Sequence, residues 1–167
     1  MTLIIGNIVA LLASIAMTIS GILKDKKQIL IVQAIQIGLF VISNLVLGGY
    51  VGAIVNAISL IRNIICYKDK LGIKEIIIIT ILSVGLSLCF NNLGIVGLLP
   101  LIASTLYLWF MNIKDIKKFK VLMIFITILW LIYDICIKSY TSALFDFMTV
   151  IANIVSLYSI IKKKGEV

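Results

Sequence analysis

The sequence predicts an all-α integral membrane protein with seven transmembrane helices, arranged as two parallel three-helix repeats joined by a linker helix. Hydrophobic residues make up 62% of its 167 residues, charged residues make up 13%, and the mean hydropathy is +1.23. A soluble domain is roughly 45–50% apolar and about 25% charged. The chain also repeats itself at an offset of 90 residues without a gap. We therefore expect almost the whole chain to lie in a lipid bilayer.

Seven apolar runs give the helices in order. Each run approaches the roughly 20 residues that a helix needs to cross a hydrocarbon core of about 30 Å. The runs are apolar on all sides and do not alternate, which is typical of membrane helices rather than strands. Pro100 is expected to kink the fifth helix. The predicted spans are residues 3–23, 29–47, 51–67, 73–90, 93–113, 119–137 and 141–161.

The offset divides a single membrane domain, residues 1–167, into repeat one (3–67), a linker helix (73–90) and repeat two (93–157). Internal repeats in a membrane protein are typical of transporters, whose halves rock around a central site. The most informative matches keep a polar group at the same depth, because apolar identities arise often by chance in so hydrophobic a chain. These pairs are Asn44 with Asp134, Asn56 with Asp146, and Ser59 with Thr149.

The basic residues predict the orientation of the helices. All 15 of them except Lys138 fall on one side of the membrane when seven spans are drawn. Positively charged loops stay in the cytoplasm, so the amino terminus should lie outside and the carboxyl terminus inside. The linker helix makes the two repeats parallel, related by an axis along the membrane normal. The basic loops at the ends of the spans thus explain the net charge of +8. We therefore do not interpret this charge as a sign of nucleic-acid binding, and we expect no nucleic-acid partner.

Two polar stripes run along the third and seventh spans, where polar residues three and four positions apart share one helix face. A polar stripe in a membrane must face protein or a water-filled cavity. The stripes consist of Asn56, Ser59 and Asn63, and of Asp146, Thr149 and Asn153. For Asn56 and Asp146 we favour the lining of a pocket, because ionisable groups at this depth are usually functional. Hydrogen bonding between helices is favoured for Asn63, Asn153, Ser14 and Ser104.

Three further residues have local interpretations. Asp134 precedes Lys138 by four positions, which is the favourable order for an ion pair on one helix. Arg62, near the inner end of span three, either snorkels to the lipid headgroups or forms an inner gate. Trp130 either forms an aromatic wall of a pocket or packs plainly within the bundle.

The sequence carries no set of residues for catalysis or for metal binding. It contains no histidine, and its three cysteines are isolated from one another. No pair of carboxylates lies on one face of a helix, so the usual groups of an intramembrane active site are missing. We therefore expect no enzyme activity, no metal and no cofactor.

Residues of spans six and seven carry a resemblance to known transporters. They are Leu129-Trp130-Leu131-Ile132-Tyr133, Lys138-Ser139, Asp146 and Thr149. This set is similar to the second and third helices of a repeat in the SWEET, SemiSWEET and PQ-loop superfamily. In that superfamily a Trp of helix two and an Asn of helix three line the sugar pocket. The resemblance implies a pocket of Trp130 with Asp146, and of Phe40 with Asn56.

Short motifs across nearly the whole chain carry a second resemblance. They are Leu47-Gly48-Gly49-Tyr50, Asn56-Ala57-Ile58, Leu98-Leu99-Pro100-Leu101-Ile102, and Asn153-Ile154 before the basic tail. With these motifs the chain resembles the YgjV family of bacterial inner-membrane proteins. The resemblance implies a multi-pass protein of the bacterial plasma membrane and names no substrate.

The sequence therefore predicts a transporter that moves a small polar solute by alternating access around a central pocket. The solute class stays open between sugar-like, vitamin-like and cationic molecules. The predicted solute-binding residues are Asn56, Asp146, Trp130, Phe40, Thr149 and Ser59. The alternative is a protein that transports nothing and serves a membrane complex as a structural or accessory subunit, or as a sensor. A homo-oligomer is compatible with either function.

Overall fold

The computed structural model describes residues 1–22, 26–68, 70, 72–110 and 115–165. These residues form seven α-helices joined by short connections, with no strand among them, so the all-helical prediction is confirmed for this part of the chain. A single turn of 3₁₀ helix, Val96–Leu98, leads into the fifth helix. The helices are α1 (Thr2–Ile22), α2 (Lys26–Val46), α3 (Tyr50–Tyr67), α4 (Ile73–Cys89), α5 (Leu99–Phe110), α6 (Ile116–Cys136) and α7 (Tyr140–Gly165).

The lengths of the helices agree with a membrane location. Within the described residues, four of them, α1, α3, α6 and α7, are long and apolar enough to cross a bilayer by themselves. Two apolar helical stretches are shorter, Leu30–Val46 in α2 and Val96–Phe110, which joins the 3₁₀ turn to α5. The predicted ends of spans one and five, at residues 23 and 113, lie outside the described residues. The seven predicted spans thus correspond to seven helices, of which four are both long and apolar enough to cross a bilayer by themselves.

The fifth helix begins differently from the prediction. Pro100 is the second residue of α5 and is buried there. A proline in the first turn of a helix breaks no hydrogen bond, because the amide at that position has no partner within the helix. Pro100 therefore helps to start α5 after the 3₁₀ turn, and the predicted kink is wrong.

Six of the helices form a closed ring. α1 packs against α2, α2 against α3, α3 against α5, α5 against α6, α6 against α7, and α7 against α1. α4 lies beside this ring, where it contacts α3 and α5. The two contacts that join the halves, α3 with α5 and α7 with α1, exchange places under the 90-residue offset. The centre of the ring is therefore enclosed by helices from both halves.

The ring carries polar groups inside and apolar groups outside. Ser14, Asn44 and Asp134 are buried, whereas Ile8 is 54% exposed and Ile35 is 57% exposed. A soluble protein shows the opposite preference, with isoleucine buried and charged residues at the surface. A hydrocarbon surrounding explains this arrangement, because it solvates isoleucine well and polar groups poorly.

Equivalent turns join α2 to α3 and α6 to α7. In the first turn, Gly48 has a φ of +77°, and the following amide donates to the Asn44 carbonyl at 2.8 Å. In the second turn, Lys138 has a φ of +61°, and the following amide donates to the Asp134 carbonyl at 2.8 Å. Both are Schellman caps, which end a helix through one residue in the left-handed region. The two turns lie 90 residues apart.

This cap overturns the predicted ion pair between Asp134 and Lys138. α6 ends at Cys136, and the left-handed conformation of Lys138 takes its side chain away from the face that carries Asp134. The geometry of an ion pair at four-residue spacing is lost, since it requires both residues on one continuous helix. Lys138 is exposed, whereas Asp134 is only 5% exposed and faces the interior of the ring.

Candidate functional site

A cavity of about 310 Å³ lies at the centre of the ring. All six ring helices contribute residues to its wall, and α4 contributes none among the described residues. The wall includes five of the six residues that the sequence predicts for a binding site. They are Phe40, Asn56, Ser59, Trp130 and Asp146. The fold therefore brings these five side chains to one cavity, and their role in binding a solute stays a prediction.

Thr149 does not lie on the cavity wall. Its hydroxyl donates to the carbonyl of Phe145 at 2.8 Å, within its own helix. Its equivalent in the first half, Ser59, does line the cavity. Of the described residues of α7, only Asp146 reaches the wall. The two halves thus share the depth of these polar groups along the helix but not their exposure to the cavity.

One end of the ring is closed by tight packing around Tyr133. We call it the Tyr133 end, the end at which α2 and α6 finish and α3 and α7 begin. Tyr133 is fully buried, and its hydroxyl accepts a hydrogen bond of 3.0 Å from the amide of Gly52. Gly52 is in the first turn of α3, where helix amides lack partners within the helix. Tyr133 on α6 therefore caps α3 across the boundary between the halves.

Glycine is required where the two halves meet at this end. A Cβ built on Gly52 would fall against the amide oxygen of Asn44 and the hydroxyl of Tyr133, with a Tyr133 ring carbon 2.7 Å away. A Cβ on Gly49 would meet the same hydroxyl. In the second half the equivalent positions are Ser139 and Ser142, whose hydroxyls bond to each other at 2.9 Å. The Tyr133 side chain therefore fits against the start of α3, where Gly49 and Gly52 have no side chains.

Two asparagines tie the halves together at the same end. The Asn7 amide group donates to the Lys138 carbonyl at 3.0 Å, and its oxygen accepts from the Thr141 amide at 3.1 Å. The Asn92 amide group donates to the Gly48 carbonyl at 2.7 Å. Gly48 and Lys138 are the left-handed residues of the two equivalent turns. Asn7 of the first half thus holds the turn of the second half, and Asn92, in the connection between α4 and α5, holds the turn of the first half.

Among the wall residues that sequence reasoning did not assign to the site, two are equivalent under the repeat. Asp134 and Asn44 both line the cavity, and their exposed fractions are only 5% and 4%. The signal that points to them is the repeat offset, which pairs them as a carboxylate with an amide, as it pairs Asp146 with Asn56. The apparent ion pair with Lys138 masked this signal for Asp134.

The opposite end of the cavity, which we call the Arg62 end, carries the basic group. Arg62 lines the cavity, and its guanidinium lies 5.1 Å from the centre of the Tyr107 ring. It also donates to the Asn63 amide oxygen at 3.4 Å. Snorkelling to lipid headgroups is therefore wrong for this arginine, since a side chain stacked on a neighbouring helix faces the ring interior. The wall extends along α3 to Cys66, one residue before the helix ends.

The residues predicted to hydrogen-bond between helices do so in part. Asn63 donates to Gln33 on α2 at 3.5 Å, and Asn153 accepts from Lys120 on α6 at 3.0 Å. The Ser14 hydroxyl is fully buried, and no described group bonds to it. The prediction is therefore right for the two asparagines and wrong for Ser14.

Comparisons with known proteins bear on the whole chain. No curated protein and no solved structure matches it significantly. The sequence profile of a family of bacterial inner membrane proteins, Imp-YgjV, matches residues 4–164. The matched region takes in α2 to α6 completely and nearly all of α1 and α7. Membership of a membrane protein family agrees with a fold whose helices bury polar groups inside an apolar surface. The chain belongs to the YgjV family of bacterial inner membrane proteins.

Proposed function

We propose that this protein carries a small polar solute across the inner membrane by alternating access around the central cavity. The observation that supports this most is the cavity itself, a space with polar groups on its wall that is surrounded by six helices whose outer surface is apolar. A cavity of this volume is of the size that holds a small ligand. Its wall is amphiphilic, with the aromatic rings of Phe40 and Trp130 beside the polar groups of Asn56 and Asp146.

The asymmetry of the two cavity ends fits a carrier that is closed on one side. The Tyr133 end is packed with buried groups from both halves, whereas the wall reaches into the last turn of α3 at the Arg62 end. In our proposal the halves are parallel repeats of the SWEET-like type, and a rocking motion of one half against the other alternates the closure. The positive-inside rule assigns the Arg62 end to the cytoplasm.

Uptake by the purified protein tests the proposal directly. We expect liposomes that contain the protein to take up at least one solute from a set of radiolabelled sugars, vitamins, nucleosides and organic cations, with saturation as its concentration rises. Empty liposomes and liposomes that contain a heat-unfolded sample are the controls. Absence of uptake over the whole set, with a correctly folded protein, would contradict transport. Binding of a solute without its uptake would favour the sensor.

The orientation can be checked by cysteine labelling in intact cells. The native cysteines Cys66, Cys89 and Cys136 are first replaced by serine, and single cysteines are then introduced at Ile95, which is 85% exposed, and at Lys118. We expect a membrane-impermeant maleimide to modify Ile95→Cys in intact cells and Lys118→Cys only after lysis. The physical reason is the positive-inside rule, which places the basic loops in the cytoplasm.

Two details make this labelling decisive. Gly49 is unsuitable as an external site because a Cβ there would meet the Tyr133 hydroxyl. Ile95 avoids that problem, since it lies in the exposed connection between α4 and α5. Modification of Lys118→Cys in intact cells would show that the proposed orientation is inverted. Modification of both cysteines from outside would show that the number of membrane crossings between them is even.

A further inference from the structure

The Tyr133 end of the cavity gathers hydrogen-bond acceptors that have no donor among the described residues. Asp134 and Asp146 line this cavity, and no hydrogen bond or ion pair joins either carboxyl group to another described residue. Both carboxyl groups therefore face the same space at the centre of the ring. Two carboxyl groups that face one enclosed space repel each other when both are charged, and each also loses hydration there.

A buried amide oxygen at the same end also lacks a hydrogen-bond donor, which is independent evidence that a ligand with donors binds there. Asn44 is 96% buried, since only 4% of it is exposed, and its Oδ1 accepts no hydrogen bond from any described group. The orientation of the amide is fixed by its nitrogen, which donates to the Phe40 carbonyl at 2.8 Å. An unpaired buried acceptor costs about 1–3 kcal/mol. A further amide oxygen on the wall, Oε1 of Gln36, is buried and unpaired in the same way.

Among the described residues, no positively charged side chain neutralises these two carboxyl groups. Among the described residues that line the cavity, Arg62 is the one with a permanent positive charge. It lies at the opposite end and is held there by Tyr107 and Asn63. Lys138, the nearest cation in sequence to Asp134, is exposed beyond the end of α6. The remaining wall residues of α1, α2 and α5 that we describe carry no charge that faces the two carboxyl groups.

A ligand that satisfies these groups must carry positive charge and N–H donors together. A metal ion would supply the charge, but no group of three or more acidic, histidine or cysteine ligands exists among the described residues. An ammonium group supplies one charge and three donors, which matches two carboxyl groups and one amide oxygen. The rings of Phe40 and Trp130 on the same wall would stabilise such a cation and pack against its apolar body.

We propose that Asp134, Asp146 and Asn44 form a binding site for a small primary organic ammonium ion at the Tyr133 end of the cavity. This inference rests on the proposed function, because it names the class of solute that the carrier would take. It adds Asp134 and Asn44 to the predicted site and narrows the open choice between sugar-like, vitamin-like and cationic solutes to the last of them.

Two matched probes test the charge requirement with the full-length protein in detergent micelles. 5-Amino-1-pentanol carries one ammonium group and one hydroxyl, and 1,5-pentanediol has the same chain length with two hydroxyls and no charge. We expect calorimetry to show saturable binding of the amino alcohol and none of the diol at the same concentration. Equal binding of both probes, or no binding of the amino alcohol, would overturn the site.

Single substitutions then locate the site. Asp134→Asn and Asp146→Asn keep the shape of the side chain and remove its charge, so each should weaken binding of the amino alcohol by roughly 10- to 100-fold, the effect of losing one charged hydrogen bond. The matched control is Glu75→Gln, which removes a carboxylate at the start of α4, away from the cavity, and should leave binding unchanged. Binding of wild-type strength in both aspartate variants would refute the assignment.

A gain-of-affinity variant protects the test against loss of folding. Asn44→Asp introduces the residue that the second half already has at the equivalent position, and the added charge should tighten binding of the amino alcohol. Weaker binding in a variant that elutes as a monodisperse species would count against the site.

Transport is measured separately in liposomes. Binding with this residue dependence but no uptake would refute the proposed function alone. Uptake of a neutral solute that both aspartate variants leave intact would refute the ammonium site alone.

Discussion

Replacement of Ser59 by tryptophan should reduce solute uptake in liposomes by more than about tenfold. Ser59 lies on the cavity wall in the middle of α3. A tryptophan side chain is far larger than that of serine, and an indole directed into a cavity of about 310 Å³ takes up much of the space that a solute would need. The loss should appear in the maximal rate of uptake, whatever the solute is. The measurement is initial uptake by liposomes that contain equal amounts of protein.

Two controls separate blockage from damage to the fold. Ile81→Trp introduces the same indole on α4 at a position that is 68% exposed to the surroundings of the ring, and its uptake should equal that of the wild type. Ser59→Thr installs the residue that the second half carries at the equivalent position 149, and it should transport at a similar rate. If folded Ser59→Trp protein took up solute normally, the cavity could not be the transport path.

Replacement of Gly52 by alanine should lower the free energy of unfolding by about 1–3 kcal/mol, the usual cost of overpacking a filled site. The added methyl group would occupy the space of the Asn44 amide oxygen and the Tyr133 hydroxyl. Tyr133 must then move, and the hydrogen bond from the Gly52 amide is lost with it. The measurement is thermal or denaturant unfolding in detergent, followed by the signal of the tryptophans.

The chain offers a control for this substitution with the same chemistry. Gly38 is in the interior of α2, and a Cβ built there meets no atom within 4 Å. Alanine is favoured over glycine in a helix by up to about 1 kcal/mol, so Gly38→Ala should be neutral or stabilising. The opposite signs of the two substitutions would be the signature of the tight contact at the Tyr133 end. Equal effects would indicate that this contact is not tight.

Tyrosine 133 gives a second test of the same contact. Tyr133→Phe alone leaves the buried Gly52 amide without its acceptor and should cost about 1–3 kcal/mol. In combination with Gly52→Ala it should cost less than the sum of the single changes, because both substitutions remove the same hydrogen bond. Additive costs would show that Gly52 and Tyr133 do not act on each other.

The local features of this protein could be read from its sequence. The apolar runs predicted the helices, because membrane helices satisfy their own backbone hydrogen bonds and need no distant partner. The 90-residue offset anticipated that α2 and α6 would have equivalent bounds and equivalent caps. It also directed attention to Asn56 and Asp146, which the fold brings to one cavity.

The predictions for three residues were wrong because they relied on neighbours in the sequence, whereas the position of each side chain depends on a helix end or on a residue of another helix. Asp134 and Lys138 have the spacing of a helical ion pair, yet the left-handed cap at Lys138 separates them. Pro100 lies inside the fifth apolar run, which suggests a kink, yet α5 begins only one residue before it. Arg62 resembles a snorkelling residue, yet Tyr107 on another helix holds it inside the ring. In each case the decisive partner or helix end was not visible in residue spacing.

The sequence by itself determined the membrane location, the seven helices and the position of each polar group along its helix, because hydropathy and helical periodicity act within one helix. Only the tertiary structure decided which polar groups share a space. Ser59 and Thr149 are equivalent in sequence, but one lines the cavity and the other bonds to its own helix. The seal depends on the Tyr133 hydroxyl and the Gly52 amide, 81 residues apart in the chain. Such contacts depend on how the helices pack around the ring, and helix packing is set by the fit of side chains from distant segments.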